Sequence, residues 1–234
     1  MQSHLPPDAD SQAGGLQRVL LRLDLALAGA THERELLPPV AAALQPLGPE
    51  ELRLFDACFD GSGGICAVEP SAAWRTGQAQ AVSPAQRRPQ ALAELDWPDG
   101  WPSAWPNACS DAPCEPLIVS EPAALASWQS RLELAPSETL GSLILLPLYS
   151  AAHARWQGLL ALCLTRRFLP SAFENLMLSC VQRALAAALG HLRAERATRQ
   201  VLSEVGQHSA LVDELSAAAT LEAVLESAVL PLIS

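Results

Sequence analysis

The sequence predicts an α+β fold, a central antiparallel sheet with flanking helices and a long C-terminal helix. Three observations predict it. Leu52 to Phe59 alternates apolar and polar residues, turns at Asp60-Gly61-Ser62-Gly63-Gly64, and continues into Ile65 to Glu69, which reads as a β-hairpin. Leu143 to Tyr149 and Arg155 to Leu164 flank the short turn Ser150 to Ala154 and read as a second hairpin. Phe173, Leu176, Met177, Cys180, Val181, Ala184, Leu185, Ala188, Leu189 and Leu192 then recur at helical spacing.

The elements follow in order. Met1 to Gly15 is polar and rich in Pro, Asp, Ser and Gly, and is expected to be a disordered leader over residues 1–15. Leu16 to Ala28 carries leucines at 16, 20, 23 and 27, a helical stripe. Thr31 is placed to cap a second helix, with Glu33 and Glu35 near its positive end. Pro38-Pro39 is expected to interrupt that helix, which would restart and run to Leu47 before the Gly48-Pro49 stop. A third strand is expected around Ala73 to Ala81.

From Pro84 to Pro116 periodicity is lost and proline is dense. Trp97-Pro98, Trp101-Pro102 and Trp105-Pro106 mark an extended or turn-rich loop, because proline bars regular helix and inner strand. Leu117-Ile118-Val119 then reads as a short strand, and Ala123 to Leu134 as a short helix. Pro147 predicts an edge or bulge position in its strand. Both parities of the last two strands are apolar, so both faces of the sheet must be covered. Ser171 and Glu174 form a capping box at the start of the long helix. After Leu192 that helix becomes charged, with a favourable Glu195–Arg199 pair and a sparse apolar seam of Leu202, Val205, Val212 and Leu215.

Composition bounds the function. The chain has 234 residues, 50% of them hydrophobic, enough for one full domain and further segments. The net charge is −10, and no basic run offers phosphate contacts, which argues against a nucleic-acid partner. All 15 cationic side chains are arginine. No signal peptide is visible, and no apolar run approaches the roughly 20 residues that span a membrane. A cytoplasmic location is the expectation, and Cys58, Cys66, Cys109, Cys114, Cys163 and Cys180 then read as reduced thiols.

The order of elements resembles a GAF domain, the small sensory module of bacterial signalling proteins. The most specific likeness is the closing unit: a strand ending Leu146-Pro147-Leu148, a turn, Gly158-Leu159-Leu160-Ala161-Leu162, then Phe168 and a capped helix. The resemblance runs from Leu16 to about Arg199. It implies a GAF-like sensory domain over residues 16–192 and a helical linker over 193–215. Thr220 to Leu225 after Leu215 is similar to Thr31 to Leu37 after Leu27, which implies that residues 216–234 begin a second, truncated GAF-like domain.

In this family small ligands sit between the sheet and the irregular middle segment. The resemblance therefore makes Trp74, Trp97, Trp101 and Trp105 candidate ligand-binding rings, able to stack on a flat molecule. The packing alternative is that these rings lie on prolines and cover the sheet. The C-terminal helix of the family pairs with its copy, which nominates Val181, Leu185, Leu189 and Leu192 as the dimer and signalling seam of a homodimer. Cyclic nucleotide is disfavoured, since Phe173-Glu174 stand without the family's Asn, Lys and Asp. Bilin is disfavoured because Asp111-Ala112-Pro113-Cys114 lacks a Cys-His pair. No cofactor is identified.

No catalytic residue and no metal site is assigned. Cys109 and Cys114 lack a CxxC partner and a nearby His. Cys58 and Cys66 are placed to face each other across the hairpin. His191 is followed by Leu192, where a phospho-accepting histidine is followed by an acidic residue. Whether the chain is part of an enzyme stays open. The expected function is a sensory or regulatory domain that relays ligand or partner state through a dimeric helix to an output domain in cis, a histidine kinase or, less often, a diguanylate cyclase or transcription regulator. The alternatives are a thiol redox enzyme on the same fold and a ligand-free dimerisation spacer.

Overall fold

The computed structural model describes residues 9–61, 65–75, 77–82, 88–91, 115–134 and 140–229. The chain divides into two compact units, Met1–Leu192 and Arg193–Ser234.

The first unit opens with helix α1 (Ala9–Ala28), which packs Leu16, Leu23 and Leu27 inward. The helix reaches back to Ala9, into the stretch expected as a leader, and Gly14 and Gly15 lie inside it. Glycine costs only about 1 kcal/mol in a helix, and the Gly14 carbonyl accepts a bond from Arg18 Nε.

Helix α2 (Glu33–Ala43) begins one residue later than a Thr31 cap would place it. Its start is held by Glu35, whose carboxylate accepts from the backbone N–H groups of Thr31 and His32. These bonds hold the Glu35 carboxyl below its usual range. Pro38 and Pro39 lie within this helix and do not interrupt it. Leu36, Leu37, Val40 and Ala41 are buried around them, and that packing outweighs the lost backbone bonds. The helix ends at Ala43. A 3-10 turn (Gln45–Leu47) and Gly48 in the left-handed region lead into the sheet.

Among the described residues the sheet has seven antiparallel strands: β1 (Pro49–Phe59), β2 (Ile65–Arg75), β3 (Gln78–Ala81), β4 (Gln90–Ala91), β5 (Leu117–Val119), β6 (Ser142–Ser150) and β7 (Arg155–Leu164). The order is β3-β2-β1-β7-β6-β5, and β4 also pairs with β2. Ala73 to Arg75, expected in a third strand, extend β2 instead. Gly77, at φ 84°, turns the chain into β3. Pro147 lies beyond the end of β5, which pairs only with Leu143 to Leu145, so its missing N–H breaks no ladder.

Both faces of the sheet are covered. On one face Leu52, Leu54, Ile144, Leu146, Leu148, Leu160 and Leu162 pack with side chains of α1, α2 and the helix α4 (Ala172–Val229). On the other, Phe55, Leu143, Leu145, Leu159, Ala161 and Cys163 pack with Leu125, Trp128, Leu132 and Leu134 in and after α3 (Pro122–Arg131). Strand alternation sends the successive residues Leu54 and Phe55 to opposite faces, and Ser71 of β2, opposite them, is the extra residue of a bulge. Each large side chain fully buried in this way contributes about 1.5–3 kcal/mol.

Helix α4 starts on the predicted box: Glu174 N–H donates to Ser171 Oγ at 3.2 Å, and Ser171 N–H to Glu174 Oε2 at 2.8 Å. The Ser171 bonds are the main cause that lowers the Glu174 carboxyl from its ordinary value. The second unit holds the helical residues from Arg193 onward. Every described side chain from Ala194 to Ala210 is exposed there.

Candidate functional site

The α3 face of the sheet carries a charged pair inside an otherwise apolar row. Across the strands, Arg75, Glu51, Cys163 and Leu143 stand in register, and the next row is Ala73, Arg53, Ala161 and Leu145. Strand alternation thus puts Glu51 and Arg53 on the face shared with Cys163 and Ala161. Arg53 Nη2 lies 3.0 Å from Glu51 Oε1, and the side chains are only 18% and 7% exposed.

The same guanidinium ties the sheet to the end of α3. Arg53 Nη1 donates to the carbonyls of Leu132 and Glu133. These carbonyls face Arg53 because α3 ends in a Schellman turn. Leu134 N–H donates to Gln129 O, Glu133 N–H to Ser130 O, and Glu133 is left-handed at φ 49°. Leu134 and Trp128 share the cluster beneath, the apolar contact that accompanies this motif. A cation at the negative end of a helix is favourable in itself. Arg53 Nε is buried and makes no bond. The arrangement holds a charged pair beside small residues, Ala73 and Ala161.

Cys163 sits beside this pair and is chemically quiet. Burial, reinforced by the Glu51 carboxylate and opposed by Arg53, pushes its thiol up to about 12. A thiol so seldom ionised is a poor nucleophile. Among the described residues no three His, Cys, Asp or Glu side chains converge on a point that would hold a metal ion.

A second set of contacts connects the sheet to α4. Ser142 is fully buried, and its Oγ accepts from Phe168 N–H at 2.8 Å and meets Ser120 Oγ at 2.7 Å. Its hydroxyl hydrogen is directed at Gly141 O, 2.8 Å away. A Cβ on Gly141 would lie 2.5 Å from Thr165 O, so only glycine lets the chain cross there. Arg166 stacks over the Phe168 ring and reaches Glu174 Oε1 at 3.3 Å. The start of α4 is therefore fixed to β6 and to the end of β7.

Trp97, Trp101 and Trp105 lie outside the described residues, as do Cys109 and Cys114. Trp74 stands in register with Leu52 and packs on the helix-covered cluster, on the face opposite α3. Val181, Leu185 and Leu189 are fully buried in that same cluster, and Leu192 is buried as well. Their apolar surface is already covered within the chain, because the stripe that spacing reveals is the one the sheet requires. The exposed residues of α4 include Leu176, Val201, Leu202, Val205 and Val212. Glu51, Arg53 and Ser142 were not singled out from sequence. The available signal was Glu51 and Arg53 alternating with Leu52 and Leu54 in a strand whose sheet had to be covered on both sides.

No protein-family model and no curated protein matches the sequence. Solved structures do. The GAF domain of a phosphoenolpyruvate-protein phosphotransferase from Coxiella burnetii aligns with TM-score 0.54 at 16% identity, over 79% of this chain and 98% of that one. The GAF domain of an Acinetobacter phosphoenolpyruvate-protein phosphotransferase aligns with TM-score 0.50 at 12% identity, over 80% and 96%. The chromophore-binding domain of a bacteriophytochrome from R. palustris gives 0.53 at 10% identity, over 82% of this chain and 65% of that one. With the strand order and the two covered faces, these likenesses identify the fold of this chain as that of a GAF domain.

Proposed function

We propose that this chain is a sensory or regulatory GAF domain that takes a small molecule on the α3 face and relays its state along α4. The relay would run through a pair of α4 helices in a homodimer to an output domain in cis, a histidine kinase or a diguanylate cyclase. The observation that carries this reading is α4 itself. Its first turns bury Met177, Leu178, Val181, Leu185 and Leu189 in the sheet core. Farther on, Val201, Val205 and Val212 are 57%, 59% and 60% exposed. A helix without tertiary contacts is marginal in water, since most helical stability comes from a packed face.

The spacing of that exposed face suits a second helix. Ala194, Thr198, Val201, Val205, His208 and Val212 alternate at three and four residues, the a and d positions of a heptad. None is Asp, Glu or Arg, and the Glu195–Arg199 pair lies off this seam. The resulting seam differs from the one expected from sequence and leaves Val181 to Leu192 in the core.

Ligand binding that favours one arrangement of Arg53 and the α3 turn would bias the start of α4 through the Ser142 and Arg166 contacts. The domain plan this implies is a sensory domain over 16–192, a linker over 193–215, and the start of a further domain over 216–234. A thermal-shift screen of small organic anions and aromatic heterocycles on the full chain tests the reading. A ligand that raises Tm for the native protein and not for Arg53→Ala supports it, and no shift with any compound leaves a spacer. One observation favours that second reading: Glu51 and two backbone carbonyls already occupy the Arg53 guanidinium. The quiet Cys163 thiol counts against a redox enzyme built on that residue.

A further inference from the structure

The β1–β2 hairpin carries two cysteines that the sensory reading leaves unused. Cys58 pairs in register with Ala67, and Phe59 with Ile65. Cys66 is therefore the extra residue of a bulge, where two residues of β2 stand against one of β1. Its side chain is turned across the hairpin, and Sγ donates to the Cys58 carbonyl at 3.5 Å. Both thiols are free; Cys66 is exposed and Cys58 half-buried.

The spacing suits a covalent link. Opposed residues of an antiparallel ladder have Cα atoms about 4.5–5.5 Å apart. Disulfides form at Cα separations of about 4.4–6.8 Å. Cys66 stands one position from the residue opposed to Cys58, and its Sγ already lies 3.5 Å from the Cys58 carbonyl oxygen, which brings the two side chains within reach of such a link. We infer that Cys58 and Cys66 are a redox pair, which a hydroperoxide converts into a reversible disulfide across the hairpin.

The step balances. Cys66 gives up its proton and its sulfur attacks the outer peroxide oxygen; the O–O bond breaks, and the expelled hydroxide or alkoxide takes up that proton and leaves as water or an alcohol. Cys66 becomes a sulfenic acid. The Cys58 sulfur then attacks the Cys66 sulfur, the S–O bond breaks, and the departing hydroxide takes the Cys58 proton to leave as water. Two thiols lose two electrons in all, and the peroxide gains them. A dithiol reductant reverses the change.

The surroundings favour the disulfide over the reduced pair. Asp56 and Glu69 are ladder partners two residues from Cys58 and Ala67, on the same face by strand alternation. Burial, then Glu69, Cys66 and Asp56, push the Cys58 thiol up from its usual range. A Cys58 thiol that is not stabilised as thiolate makes the joined pair a weaker oxidant, so the bond persists after it forms. Exposure makes Cys66 the residue that meets the peroxide, while Cys163 is buried and seldom ionised.

The test uses the full chain under native conditions. The protein is treated with hydrogen peroxide, remaining thiols are alkylated, and trypsin is applied without reduction. Cleavage after Arg53 and Arg75 leaves Cys58 and Cys66 in one peptide, Leu54 to Arg75. The expected product is that peptide lighter by two hydrogens, with neither cysteine alkylated, and restored by dithiothreitol. Cys58→Ser should instead leave Cys66 as a sulfenic acid that dimedone traps. The inference is overturned if both cysteines remain alkylatable after peroxide, if Cys66 joins Cys109 or Cys114, or if the link forms only in denaturant.

Discussion

Gly158 of β7 faces the Phe55 carbonyl of β1 so closely that a Cβ there would lie 1.8 Å from the oxygen. Its φ of 150° is a further strain on any side chain. The contact sits where Leu54 and Phe55 turn to the two cores, and the atoms that a Cβ would meet are backbone that cannot give way. Gly158→Ala is predicted to lower stability by about 3 kcal/mol or more, or to prevent soluble expression. Gly206 is the control: it is helical with open space around it, so Gly206→Ala should gain up to about 1 kcal/mol. Urea unfolding of both variants reads the contrast.

Ser142 links three segments through one hydroxyl. Ser142→Ala would leave the Phe168 N–H buried without a partner, at a cost of about 1–3 kcal/mol. Amide exchange should then quicken at Phe168 and the first turn of α4, with the strands β1 and β2 unchanged. Uniform quickening across the sheet would show that Ser142 serves general packing only.

The Arg53–Glu51 pair predicts an asymmetry between single and double changes. Arg53→Ala leaves the Glu51 carboxylate buried and unpaired and should destabilise by about 3 kcal/mol. Adding Glu51→Gln should recover part of that loss. A double-mutant cycle by chemical denaturation measures the coupling, and additive losses would mean that the two charges do not hold each other.

Cys163 gives the protein an alkaline limit. Its folded value of about 12 stands above the ordinary 9.0, so the folded state favours the neutral thiol. The associated stability is fully present below about pH 9 and is lost as pH rises toward 12. Cys163→Ala should flatten this decline in a Tm-versus-pH series. An unchanged slope would assign it to other groups.

Much of this fold was legible in the sequence because its signals are local. The capping box at Ser171, the two hairpins and the helical stripe beyond Phe173 each depend on neighbouring residues, and the structure has all three. Pro38-Pro39 misled because propensity weighs the lost backbone bonds and cannot see Leu36, Leu37 and Val40 buried on the same helix. The site was harder to read. Glu51 and Arg53 resemble the wet side of a strand until α3 is known to lie over them. Trp74 has the right chemistry for a ligand ring, yet register with Leu52 turns it to the other face. The stripe Val181 to Leu192 looks the same whether a sheet or a second helix covers it, and only tertiary contacts distinguish the two.

The most direct test of the proposed relay is the association state of the full chain by sedimentation equilibrium, native and with Val201→Asp and Val205→Asp together. Both valines are exposed, so the change should leave the sheet core and its Tm intact. Pairing of α4 predicts a native dimer at micromolar concentration and a folded monomer for the double variant. A native protein that stays monomeric as concentration rises, or a variant that still dimerises, would contradict the pairing of α4 on which the relay depends.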